Sequence, residues 1–180
     1  MFGESFDSLL AAAQAGAGWA FTRLYEGLAP AVAGYLTVQG AAEPDDLTSE
    51  VFQRAFTRMA TFSGDEAHFR SWVFTIAHNL LVDDRRRRDR RPPTAPAEAD
   101  VVGGDVEEDA LRRLSEDRVR RLCHLLSPDQ RDVLLLRLLV GLSLEETAAA
   151  LERTTGAVKA LQHRAVATLR RHLEREGVSL

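Results

Sequence analysis

The sequence predicts an all-α fold, and three observations carry that prediction. Apolar residues recur at spacings of three and four along most of the 180 residues, and the period-two alternation of β-branched and aromatic residues that marks strands is missing. Two capping boxes, Ser127 with Gln130 and Ser143 with Glu146, open helices in the second half. The single cysteine, Cys123, can form neither an internal disulfide nor a zinc site without three further ligands, so helix packing must hold the fold. At 45% hydrophobic, the chain has the material for one medium domain or two small ones. Its apolar runs, such as Val133 to Leu136, are broken by charges like Arg137, well short of the roughly 20 uncharged residues of a membrane span. Glu4 and Asp7 stand where an export signal would carry basic residues, so the expected location is the cytoplasm, without membrane insertion.

Taken in order, Phe6 to Ala15 and Trp19 to Tyr35 read as Ala-rich helices, interrupted around Gly16 to Gly18 and around Pro30. Asp45 and Asp46 sit at the next helix start, and Leu47, Val51, Ala55 and Met59 follow at spacings of four, which buries one face. Thr61 to Ala67 is a polar loop. Phe69, Trp72, Val73, Ile76 and Leu80 then form a second stripe running into Arg85 to Arg91. Pro92, Pro93 and Pro96 stop that helix, and the acidic, Pro- and Gly-containing stretch 92–110 reads as a flexible linker between a first domain, 1–91, and a second, 111–180. Helix returns from Leu111 to Leu126. The Ser127 box opens a helix that is apolar on almost every side from Val133 to Val140 except at Arg137, which predicts a central position ending at Gly141. Ser143 opens a short helix to Leu151, a turn follows, and Thr154 caps a last helix to about Arg175. A short helix, a tight turn and a longer basic helix are in helix-turn-helix order.

The net charge of -4 conceals a segregated distribution. Residues 1–91 hold 10 arginines against 12 acidic residues, residues 92–116 hold 2 against 7, and residues 117–180 hold 11 basic against 8 acidic. Two strongly basic stretches, 85–91 and 153–175, therefore flank an acidic one. In the last helix Val158, Leu161, Ala165 and Leu169 mark the buried face, leaving Lys159, His163 and Arg164 outward near its start, where side chains reach base edges. Arg170, Arg171 and Arg175 lie further along, where phosphate contact is expected. His78 reads as a surface residue, or as a phosphate contact when protonated.

Two sets of motifs carry a family resemblance. Asp45 to Phe52, and Phe69 to Asn79 with Asp83 and the arginines, resemble region 2 of a bacterial sigma-70 family sigma factor of the extracytoplasmic-function (ECF) group. Leu126 to Leu134, Gly141 to Ala148, and Gly156 to Lys159 with His163, Arg164 and Ala165 resemble region 4 of the same family. Together the motifs span roughly Phe21 to Leu173. The resemblance implies a two-domain subunit that binds core RNA polymerase and directs it to promoter DNA, with no catalytic residue, cofactor or metal. An anti-sigma factor is the expected inhibitor. It further implies that Asp46, Ser49, Glu50, Gln53 and Arg54 form the polar face that docks on core polymerase. Ser63, Asp65, His68, Trp72 and Asn79 would capture a flipped base of the minus-ten strand, with Arg85, Arg86, Arg87 and Arg88 on its phosphates. Trp72 also belongs to the apolar stripe and so reads as a core residue. Thr155 and Ala160 join Lys159, His163, Arg164, Arg170 and Arg171 on the minus-thirty-five element.

Two positions depart from the family pattern. Glu152 stands where relatives commonly have Gly, which predicts a different path for the turn, and Gln162 replaces an apolar residue, which predicts a rotated or differently packed helix. Other classes fail at definable places. A response-regulator-like helix-turn-helix protein would need an α/β receiver, and residues 1–91 offer only helices. An enzyme would have to use His68, His78, Asp83, Asp84, Cys123 or His124, and none falls in a nucleophile motif or at zinc-helix spacing. A helical adaptor that binds only protein leaves both basic stretches without a role.

Overall fold

The computed structural model describes residues 2, 5–90 and 119–177, apart from the side chain of Asp89; the expected linker at 92–110 and the expected helix start at Leu111 lie outside them. Among the described residues there are helices and turns and no strand. The first unit begins with α1 (Phe6–Gln14) and α2 (Gly18–Val38). Helix α2 runs unbroken through Pro30, where the sequence predicts an interruption. Proline removes one hydrogen bond and leaves the Glu26 carbonyl without its helical donor. Pro30 faces solvent, where water can take that carbonyl, while Leu28, Ala29 and Val32 around it are buried and hold the helix in place.

Helix α3 (Pro44–Thr57) starts on Pro44, with Asp45 and Asp46 in its first turn against the helix dipole. It ends before Met59, which is nonetheless buried, on a single 3-10 turn, Met59–Thr61. Helix α4 (Glu66–Asp89) begins inside the segment expected to be loop, because the Asp65 carboxylate accepts from the His68 backbone N–H at 2.9 Å and caps it. Tyr35, Leu36, Phe52, Phe69, Phe74 and Leu80 fill the space between these helices, essentially without solvent contact. Side chains of this size contribute roughly 1.5–3 kcal/mol each on burial.

The second unit comprises helical residues 119–124 (α5), α6 (Pro128–Leu134), α7 (Leu144–Ala150) and α8 (Thr155–Arg175). Both capping boxes form with both arms in place. The apolar run after Val133 is only half central. Leu134 to Leu136 are buried, but a π-helical turn, Leu135–Leu139, adds a residue to the register and carries Leu138 and Leu139 to the surface, 72% and 53% exposed. Gly141 at φ +76° then lets the Leu142 N–H return to the Leu136 carbonyl at 3.0 Å. The expected change of path at Glu152 does not occur: this residue takes the left-handed conformation itself, at φ +52°. Backbone bonds from Glu152 to Ala149 and from Arg153 to Ala148 hold it there, with an Arg153–Asp129 ion pair of 2.8 Å beside them.

The two units share one buried surface. Cys123, Leu135, Leu136, Val140, Leu142 and Ala150 belong to the same apolar cluster as the core of the first unit, with α7 packed on α4 and the π-helical turn on α2. Ser143→Ala removes one arm of the α7 capping box and is expected to cost about 1 kcal/mol, read as a lower urea midpoint at unchanged slope.

Candidate nucleic-acid interface

Helix α8 is positioned by its cap and its buried side. Thr154 Oγ1 accepts from the Ala157 backbone N–H at 3.2 Å, and Val158 and Ala165 are fully buried against α6 and α7, with Leu161 and Leu169 half-buried beside them. That phase leaves Thr155, Lys159, Ala160, His163, Arg164, Arg170 and Arg171 exposed. All seven residues singled out in the sequence therefore share one accessible side of the helix. Gln162 is explained by Arg137, the one charge in the apolar run. Its guanidinium donates to Gln162 Oε1 at 3.3 Å and to the Leu142 carbonyl. A polar residue is needed at 162 because a half-buried arginine needs an acceptor there. The helix is not displaced, and Val158 and Ala165 remain on its buried side.

A second site forms where α4 begins. Arg58, Thr61, Phe62, Ser63, His68, Ser71 and Trp72 line a groove of about 410 Å³. Trp72 packs against the core and also borders the groove. Half-buried, it stacks on Phe62 at 5.0 Å between ring centroids and approaches Phe69 at 6.0 Å, and it also lines the groove. Gln14 steadies the rim, its amide donating to the Phe62 carbonyl at 2.8 Å and to the Met59 carbonyl at 3.3 Å. His68 Nδ1 lies 2.7 Å from Asp65 Oδ1; the cap bond from the His68 backbone N–H is the leading cause holding the Asp65 carboxyl below its usual pKa. The sequence reading did not pick out Arg58 or Ser71. Arg58 comes to the groove across the 3-10 turn, through packing that no local spacing announces, whereas Ser71 lies three residues past His68 on the same helix.

Asn79 is exposed, about two turns along α4 from Trp72, outside that groove. The four arginines at the end of α4 divide. Arg85 donates to the Gln39 carbonyl and side-chain oxygen at 2.7 and 2.9 Å, and Arg88 pairs with Asp84 at 2.9 Å and reaches the Gly40 carbonyl at 3.2 Å. Both satisfy the C-terminal end of α2, Arg85 half-buried and Arg88 at the surface, and Arg86 and Arg87 are exposed. On α3, Asp46, Ser49 and Gln53 are exposed and Glu50 and Arg54 half-buried, the last two paired at 2.5 Å.

His78 is not the surface residue the sequence suggests. It is buried at the boundary between the units and shares a 3.1 Å hydrogen bond with the fully buried Tyr35 hydroxyl. Burial lowers the His78 pKa, against the pull of Asp132, and raises that of Tyr35. Next to them Asp132 of α6, also buried, accepts from the Gln39 amide; burial raises its pKa, against the pull of His78, Gln39 and Arg85.

Comparison with known proteins matches this architecture. Residues 23–91 match sigma-70 region 2 and residues 123–171 match sigma-70 region 4. The chain is 40% identical to the ECF RNA polymerase sigma factor BldN of Streptomyces coelicolor over 92% of its length, and spans 64% of that protein. It is 34% identical to the ECF RNA polymerase sigma factor SigD of Mycobacterium tuberculosis, over 98% of this chain and 88% of that one. Among solved structures, CnrH in complex with the cytosolic domain of CnrY superimposes with a TM-score of 0.71 at 26% identity, covering 96% of this chain and 99% of CnrH. A helix-turn-helix presenting a basic helix, preceded by a helical unit that ends in arginines, is matched in order by both regions, and the chain belongs to the ECF group of sigma-70 family RNA polymerase sigma factors.

Proposed function

We propose that this chain acts as the promoter-recognition subunit of a bacterial RNA polymerase, working in the cytoplasm and contributing no catalytic residue of its own. The observation that carries the reading is the exposed side of α8, where Lys159, His163 and Arg164 stand opposite the buried Val158 and Ala165. In this reading the N-terminal half of α8 enters the major groove of the minus-thirty-five element, and Arg170 and Arg171 rest on phosphates. The groove at Phe62 and Trp72 takes an unstacked base of the minus-ten strand. Its aromatic wall offers stacking, and Arg58, Ser63, His68 and Ser71 offer polar contacts to the base edge. Arg86 and Arg87 follow the strand's phosphates, and the outward side of α3, from Asp46 to Arg54, meets core polymerase.

An anti-sigma factor is the expected inhibitor. CnrH, which shares this fold, was solved in complex with the cytosolic domain of CnrY.

Promoter-directed transcription tests the reading as a whole. Purified chain added to core polymerase from the native host should yield transcripts starting at defined sites on genomic templates. Transcript-independent DNA binding by the chain alone would favour an ordinary helix-turn-helix regulator. Within the holoenzyme, Arg164→Ala should cost about 1–3 kcal/mol of discrimination at one or two positions of a randomised upstream element, and Arg171→Ala should weaken all sequences evenly. Replacing Arg86 and Arg87 together with Ala should lower the salt slope of binding to the melted strand by about 0.7 per residue, leaving the ranking of minus-ten sequences unchanged.

A further inference from the structure

In the groove beside Trp72, the hydrogen-bonding role of one side chain is fixed by another. Asp65 Oδ1 accepts from the His68 backbone N–H at 2.9 Å and lies 2.7 Å from Nδ1 of the same residue's ring. The backbone bond foremost, and the ring bond after it, hold the Asp65 carboxyl below its usual range, and an ionised carboxylate has no proton to give. A neutral imidazole carries one N–H and one bare nitrogen, so a carboxylate at Nδ1 places the N–H on that side and leaves Nε2 as an acceptor. Gly64, at φ +148°, lies against the root of the same ring. A Cβ there would stand 2.8 Å from His68 Cβ and 3.3 Å from Cγ, so the loop comes this near only because residue 64 has no side chain.

The other polar walls of the groove are not fixed in this way. Arg58 only donates, and the hydroxyls of Ser63 and Ser71 turn to donate or accept, so by themselves they distinguish nothing. The Thr61 hydroxyl already donates to the Arg58 carbonyl at 2.9 Å, and the Gln14 amide takes the Met59 and Phe62 carbonyls at the rim. Among the described residues that line the groove, His68 alone has its role set as an acceptor, and with its side chain 68% exposed it is open to a ligand.

An unstacked base is read on its Watson–Crick edge, where the exocyclic group stands outermost. Adenine and cytosine carry an amine there, which donates to a bare nitrogen, and beside it a ring nitrogen able to accept from Arg58. Hypoxanthine and uracil exchange the amine for an oxygen and reverse both partners: lone pairs then face the bare nitrogen, and a ring N–H faces the guanidinium. We infer that His68 is a specificity-determining residue of this groove, reading the exocyclic amine of an unstacked adenine or cytosine through Nε2, and that Asp65 is its positioning residue, fixing the tautomer of the ring. The base preference rests on the base-capture reading above; the tautomer does not.

Two variants and two measurements test this. Asp65→Ser keeps a capping oxygen for the His68 backbone N–H but is too short to hold the ring, and His68→Phe keeps an aromatic ring without a nitrogen. In the full chain at pH 8, nitrogen-15 shifts of the His68 ring should place its proton on Nδ1, and in Asp65→Ser on Nε2, the form that an unconstrained histidine favours, with helix content by circular dichroism unchanged. A wild-type ring protonated on Nε2 overturns the pair. The second measurement uses holoenzyme and a template with its minus-ten strand already melted, of the sequence that wild type selects from a randomised strand. Each base is replaced in turn by an abasic site, each adenine by hypoxanthine and each cytosine by uracil. At one abasic-sensitive position the exchange of amine for oxygen should weaken wild-type binding about five- to tenfold, the worth of one hydrogen bond, and should leave binding by both variants unchanged. Abasic sensitivity without a preference for the amine, or a preference that survives in both variants, overturns His68 as the reader and leaves base capture standing. A wild type with no abasic-sensitive position defeats the base-capture reading and the base preference with it, while the ring shifts still decide the tautomer.

Discussion

Helix α4 is the constraint around which the rest of the structure is arranged, because one continuous helix has to satisfy three environments. Its first turn is half-buried and capped by Asp65. Its middle, from Phe69 to Leu81, supplies a large part of the buried core, and its last turns carry four consecutive arginines. A helix can do this only if its apolar stripe is anchored on more than one side. Here α2 and α3 take one side, and α7 of the second unit takes another. The arginine end would otherwise repel itself, and Arg85 and Arg88 relieve that by satisfying the carbonyls that α2 leaves open at Gln39 and Gly40.

The same economy governs the second unit. Arg137 lies in the most apolar run of the chain, and its charge is tolerable because it finds the Leu142 carbonyl and Gln162. Arg153 ties the turn before α8 to Asp129 at the start of α6. These polar contacts support the packed orientation of α8, which decides which side chains face outward. The buried groups that set this orientation are Val158 and Ala165, small enough to let α8 approach α6 closely.

The sequence alone determined the helical class, both capping boxes, the extent of α8 and the exposed side of that helix. Each of these follows from local rules: the 3.6-residue period, a side chain that satisfies backbone donors three residues on, and the alternation of a buried stripe with a polar one. The same rules misjudge Pro30, because a proline's cost depends on whether water or protein faces the orphaned carbonyl, and that is known only once the helix is placed. They misjudge Glu152 for a related reason: backbone bonds to Ala148 and Ala149 hold a conformation that the residue type disfavours.

What only the tertiary structure decided is how charges and polar groups divide their work. Arg85 to Arg88 are identical in sequence, yet two face α2 and two face solvent, because a helix turns 100° per residue and α2 lies on only one side. His78 is buried because Tyr35, 43 residues earlier, lies against it, and Asp132 is buried because Gln39, 93 residues earlier, offers it a donor. Such pairings form between distant segments whose local patterns are complete without each other. Local periodicity therefore predicts the helices and the exposed face of α8, and only the packed chain shows that its two units meet over a shared buried contact.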